Sequence, residues 1–147
     1  MTQENQFVSV SFFFAGTEKK KLTIFAPHVL TRTRERMRKN FNSSEECAEM
    51  LGEILTDPRL AIILEKVPLY SRIAMYIEKH DIYIFMQMGT LYDSNEIKVA
   101  TIYCRSEKQE RILVDEKDLC YILPCDGKLR FGKEKKYFAL KKNKKKL

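Results

Sequence analysis

From Tyr70 onward the hydrophobic period of the chain shortens to two, and it holds there across three successive segments. Ser71, Ile73, Met75 and Ile77 alternate with Arg72, Ala74 and Tyr76. Beyond Lys79-His80-Asp81, Ile82, Ile84, Met86 and Met88 alternate with Tyr83, Phe85 and Gln87. Successive side chains on a strand point to opposite faces, so each run reads as a strand with one apolar face. The polar stretch Tyr92-Asp-Ser-Asn95 leads into a third run, Ile97 to Tyr103. Short polar connections between such strands predict an antiparallel meander. The meander constrains everything else, because an apolar sheet face must be covered by a second layer.

The remaining segments supply that cover. Phe7 to Phe14 is rich in the β-branched and aromatic residues that suit a pleated surface. Ala15 to Glu18 reads as a turn, and Leu22 to Phe25 as the returning strand of a hairpin that Pro27 ends. A helix is predicted from about Val29 to Asn40, with Leu30, Thr33, Met37 and Phe41 in one stripe. Arg32, Glu35, Arg36 and Lys39 fall on its other side. Ser43, with Glu46 three residues on, matches a capping box for a second helix whose apolar face is Cys47, Ala48, Met50, Leu51, Ile54 and Leu55. Asp57-Pro58 reads as the start of a short third helix, although Leu60 to Leu64 fits a buried strand equally well. Further strand-like pieces occur at Arg111 to Val114, Leu119 to Leu123 and Tyr137 to Leu140.

The expected fold is therefore α+β: an N-terminal β-hairpin and two or three helices packed on a four- to five-stranded antiparallel sheet. Residues 1–140 are expected to form one α+β domain, with 141–147 as a basic disordered tail.

The formal net charge of +7 is unevenly placed. Five lysines lie in the segment 141–147, and Arg32, Arg34, Arg36, Arg38 and Lys39 face only Glu35 across residues 30–39. These two stretches account for more than the whole excess, so the body of the chain is close to neutral. Such a split suits a globule that meets phosphate on one side, and a solvated helix face with a solubilising tail has the same composition. Cys47, Cys104, Cys120 and Cys125 lack the spacing of a metal or redox motif and sit among apolar neighbours, as reduced core thiols do. No metal or other cofactor is expected. The polar start of the chain and the lack of any apolar run near the ~20 residues of a membrane helix point to a cytoplasmic protein without membrane contact.

The pattern His28-x-x-x-Arg32-x-x-Glu35-Arg36 stands where a strand passes into the first helix, ahead of a second helix and the meander. It resembles small proteins of phages and mobile elements that carry a His-x-x-x-Arg-x-x-Glu-Arg motif before a sheet ending in a Val/Ile-Thr-Ile/Val strand. Here that strand is Val99-Ala-Thr-Ile-Tyr103, with Ala100 intervening. The family is placed with the barnase, EndoU, colicin and RelE-like ribonuclease group, and the likeness spans roughly Leu22 to Cys104.

The resemblance implies a RelE- or barnase-like fold and metal-independent RNA cleavage, in which the 2′-hydroxyl of the RNA attacks the adjacent phosphate. It also implies RNA or a ribosome as target and an antitoxin protein as partner. The chemistry needs a proton acceptor, a proton donor and cations at the phosphate oxygens. His28 titrates in the right range, and Arg36 can grip two oxygens at once, so these two are the catalytic candidates. Arg32, Arg36, Lys39, Arg72 and Tyr103 are the candidate nucleic-acid contacts. Tyr76 and Tyr83 could also stack on bases, though such tyrosines commonly serve packing. His80, in a turn, is assigned no role. Two other readings remain open: a non-catalytic nucleic-acid or ribonucleoprotein-binding module, and an interaction protein that binds an acidic partner through the helix or the tail.

Overall fold

The computed structural model describes residues 7–25, 43–104, 111–132 and 136–141. The meander forms as the alternation requires. β3 (Arg72–Ile77), β4 (Ile82–Met88) and β5 (Glu96–Cys104) pair antiparallel in sequence order. β1 (Phe7–Phe14) and β2 (Glu18–Phe25) form the N-terminal hairpin, also antiparallel. Ala15 and Gly16 turn it with positive φ, 55° and 76°, and the Ala15 N–H donates to the Leu55 carbonyl at 2.8 Å.

The expected RelE- or barnase-like arrangement, two or three helices on a four- to five-stranded antiparallel sheet, is not what these units build. β2 joins β5 in parallel, while β7 (Leu119–Leu123) joins β3 in parallel and carries the short β8 (Arg130–Phe131). The result is a seven-stranded mixed sheet in the order β1-β2-β5-β4-β3-β7-β8. The physical reason is that a three-stranded meander leaves two edges of unpaired N–H and C=O groups. Both are capped here by strands arriving from distant parts of the chain. A separate two-stranded parallel ribbon, β6 (Ile112–Val114) with β9 (Phe138–Leu140), completes the β-structure of the described residues.

One face of the large sheet holds the main core. α1 (Ser44–Ile54) starts at Ser43, whose hydroxyl accepts from the Glu46 N–H at 3.2 Å, one half of the expected capping box. The segment from Pro58 to Lys66 is a 3-10 turn (Pro58–Leu60) running into α2 (Ala61–Lys66), which resolves the helix-or-strand ambiguity. Its buried residues, Leu60 and Ile63, are three apart, as one helical face requires. Cys47, Leu51, Leu55, Leu60 and Ile63 pack with Phe12, Phe14, Leu22, Ile24, Ile73, Met75, Ile84 and Val99. The helix expected over residues 29–40 lies outside the described residues.

Among the described residues the opposite face is covered only at one end. There the β6/β9 ribbon packs Ile112, Val114, Tyr137 and Phe138 onto Ala74, Tyr76, Tyr83, Cys120 and Ile122. Tyr76 stacks on Tyr137 at 4.8 Å between ring centroids, and Tyr83 meets the Phe138 ring edge-on at 5.6 Å. Tyr76 and Tyr83 are thus buried packing residues and not stacking groups for bases.

β5 carries one extra residue. The pairing with β4 shifts from Phe85↔Thr101 to Met86↔Val99, so Ala100 bulges out. This one residue keeps Ile97, Val99 and Ile102 on the core side despite the break in alternation.

A polar clamp ties the helical connection to the sheet. Asp57 accepts from the Arg59 N–H at 2.9 Å and from its Nη2 at 2.8 Å, while Arg59 Nη1 donates to the carbonyls of Pro124 and Gly127 at 2.7 and 2.8 Å. Arg59→Ala removes the guanidinium donors to Asp57 and to the Pro124 and Gly127 carbonyls and is expected to lower the unfolding free energy by about 1–3 kcal/mol in urea melts. The Arg59 hydrogen bond also holds the Asp57 carboxyl below the ordinary carboxylate range. The unfolded chain therefore takes up that proton more readily. The clamp's contribution is complete above about pH 4 and is lost as the pH falls through the lower, folded value. Urea melts across this range should show a smaller acid loss in Asp57→Asn than in the parent.

Candidate nucleic-acid interface

Where the ribbon stops, the face opposite the helices is open among the described residues. Cross-strand pairing places Ser9, Thr23, Lys98, Gln87 and Arg72 in one row over β1, β2, β5, β4 and β3. Strands lie about 4.8 Å apart, so the row is about 19 Å long. Phe13, 54% exposed, and Phe7, 47% exposed, stand on β1 on this side. Lys19 and Lys21 lie opposite Phe13 and Ser11 in the hairpin register. Lys98 Nζ sits 5.3 Å from the centre of the Phe7 ring. A sheet face bearing exposed rings and ammonium groups in alternation has the chemistry that unpaired bases and a phosphate backbone bind.

The row is built over a hydrogen-bonded floor. Thr23, nearly buried, donates from its hydroxyl to the Glu96 carboxylate and shares a 2.7 Å hydrogen bond with Ser9. Thr90 Oγ1 donates to the other Glu96 oxygen at 2.8 Å. Lys21 pairs with Asp93 at 3.8 Å, so the β4–β5 connection is fastened to the same face.

At the Arg72 end the face deepens into a hollow of about 610 Å³ between the sheet and the ribbon. Phe85, Thr101, Tyr103 and Lys98 line it from the sheet, and Leu113, Asp115 and Lys141 from the ribbon side. Tyr103, 36% exposed, meets Phe85 edge-on at 5.7 Å. Arg72 reaches from β3 to the far wall. Its Nε and Nη2 donate to Asp118 Oδ1 at 2.9 and 2.7 Å, and Nη2 also donates to Asp115 Oδ2 at 2.8 Å. Asp118 is 2% exposed, and its second oxygen accepts from the Asp115 N–H at 2.9 Å. The hydrogen bonds to Asp118 and Asp115 raise the proton affinity of Arg72, and the one from Arg72 holds the Asp115 carboxyl below its ordinary range.

Of the residues singled out in the sequence, Arg72 and Tyr103 are brought together at this hollow. His28, Arg32, Arg36 and Lys39 lie outside the described residues. β2 is described to Phe25, one residue past the Ile24↔Val99 pair. His28 follows three residues later in the sequence. His80 sits in the β3–β4 connection, and with Cys125 it lines a different depression, beside the Asp57–Arg59 clamp.

No family model, curated protein or solved structure matches this chain.

Sequence reasoning passed over Phe7, Phe13, Lys19, Lys21 and Lys98. The signal was present in the hairpin: the residues out of phase with the core set Val8, Val10, Phe12 and Phe14 are Phe7, Ser9, Ser11 and Phe13. A strand with rings on both sides has more apolar surface than one core can use.

Proposed function

We propose that the protein is a metal-independent ribonuclease that binds single-stranded RNA across the open sheet face. The observation behind this reading is the row Ser9–Thr23–Lys98–Gln87–Arg72, flanked by the exposed rings of Phe7, Phe13 and Tyr103. Unstacked bases lie on the rings, and the backbone follows the lysines. Duplex RNA, whose bases are stacked inside, cannot use such a platform. Cleavage is assigned to the His28 and Arg36 of the sequence motif, with His28 moving the proton and Arg36 bracing the phosphate.

The test is incubation of the full chain with labelled single-stranded RNA and its matched duplex in EDTA. Retention of the single strand alone, and products ending in 2′,3′-cyclic phosphate, are expected. Equal retention of both forms would overturn the platform. In the same assay Lys21→Ala and Lys98→Ala should each flatten the dependence of log affinity on log salt by about 0.7 per lost phosphate contact.

A further inference from the structure

Resting on the RNA-binding reading of the open face, we propose that Arg72 and Lys141 form a phosphate-binding subsite of the hollow, occupied at rest by the protein's own Asp115 carboxylate. Asp115 bridges the two cations, with Oδ2 at 2.8 Å from Arg72 Nη2 and Oδ1 at 3.7 Å from Lys141 Nζ. An anionic group between a guanidinium and an ammonium is what a phosphodiester would supply at the same place. Asp115 can leave, because its side chain is 45% exposed and stands at the rim.

Asp118 cannot leave. Its side chain is 2% exposed, and both its oxygens are engaged, one by Arg72 and one by the Asp115 N–H. It therefore acts as a positioning residue, fixing the guanidinium by Nε and Nη2. Arg72 Nη1 makes no hydrogen bond to a described residue and remains available to an incoming oxygen. A charged group held in one orientation before the ligand arrives loses less freedom on binding. The two aspartates on one arginine thus have opposite parts: Asp118 prepares the cation and Asp115 competes for it.

This asymmetry separates the proposal from general electrostatics. Asp115→Asn and Asp118→Asn change the net charge of the protein by the same amount, so a diffuse attraction to RNA would strengthen equally in both. The subsite instead requires Asp115→Asn to tighten binding of a short single-stranded RNA severalfold and Asp118→Asn to weaken it by about tenfold. Arg72→Lys keeps the charge but loses the fork, and it should weaken binding comparably. This variant keeps the test decisive if Asp118→Asn fails to fold. Inorganic phosphate is the second probe: in Asp115→Asn it should shift the Arg72 Nε–H resonance, and in the parent it should do so only at much higher concentration. Equal strengthening by both Asn variants, or RNA binding by the parent that neither Asp115→Asn nor Arg72→Lys alters, would overturn the subsite while leaving the platform standing. Phosphate binding in Asp115→Asn with no RNA binding by any form would do the reverse.

Discussion

His28→Ala is expected to abolish the appearance of 2′,3′-cyclic phosphate ends while leaving RNA affinity within a few fold of the parent. A positioned acid or base contributes about 10²–10⁴ in rate, the largest single loss any substitution in this chain should produce. Affinity is expected to survive because it is assigned to the lysines and rings of the open sheet face, which the substitution leaves intact. Single-turnover cleavage and filter retention, measured on the same preparation, separate the two quantities. A variant that cuts as fast as the parent removes His28 from the mechanism. A parent that retains RNA but never cuts it would make the protein a binding module.

Phe138→Ala should have the largest effect on stability. The ring is 1% exposed and lies edge-on to Tyr83, whose ring also contacts Tyr76 at 4.9 Å. Truncating a buried phenylalanine costs about 3–5 kcal/mol, a large part of the net stability of an ordinary domain. The consequence reaches function, because the ribbon that Phe138 anchors forms one wall of the hollow. Urea denaturation should show a lower midpoint, and RNA affinity should fall under conditions where the variant remains folded. The same truncation on the helix side, at Leu51, should lower stability without a matching loss of affinity. Leu51 is buried in the core on the other face of the sheet.

The parts of the fold legible in the sequence are those whose partners are neighbours along the chain. The β3-β4-β5 meander and the β1-β2 hairpin announce themselves through alternation and turns, and Ser43 and Asp57 mark helical starts by their side-chain chemistry. The parallel joins of β2 to β5 and of β3 to β7 left no such trace. A parallel partner is set by tertiary packing across long separations, and a strand at the edge of a meander has the same periodicity as one inside a larger sheet. The candidate site follows the same division. Arg72 could be chosen because the alternation of β3 fixed its face, whereas Tyr103 owes its face to the Ala100 bulge, which alternation alone does not reveal, and Lys98 and Phe7 became neighbours only through the β2–β5 join. Asp118 could not have been singled out, since nothing in Asp115-Glu-Lys-Asp118 shows which carboxylate is buried.

Ala100 gives β5 an arithmetic that homologous chains of this architecture must respect. Because one unpaired position offsets the parity of the strand, pairing the same residues without the bulge would bring Lys98 inward and turn Val99 out to water, and a one-residue change of length elsewhere in β5 would likewise reverse the faces on one side of it. Length variation should therefore accumulate in the β4–β5 connection, where Leu91 and Tyr92 are almost wholly exposed, and be purged from the strand that follows it.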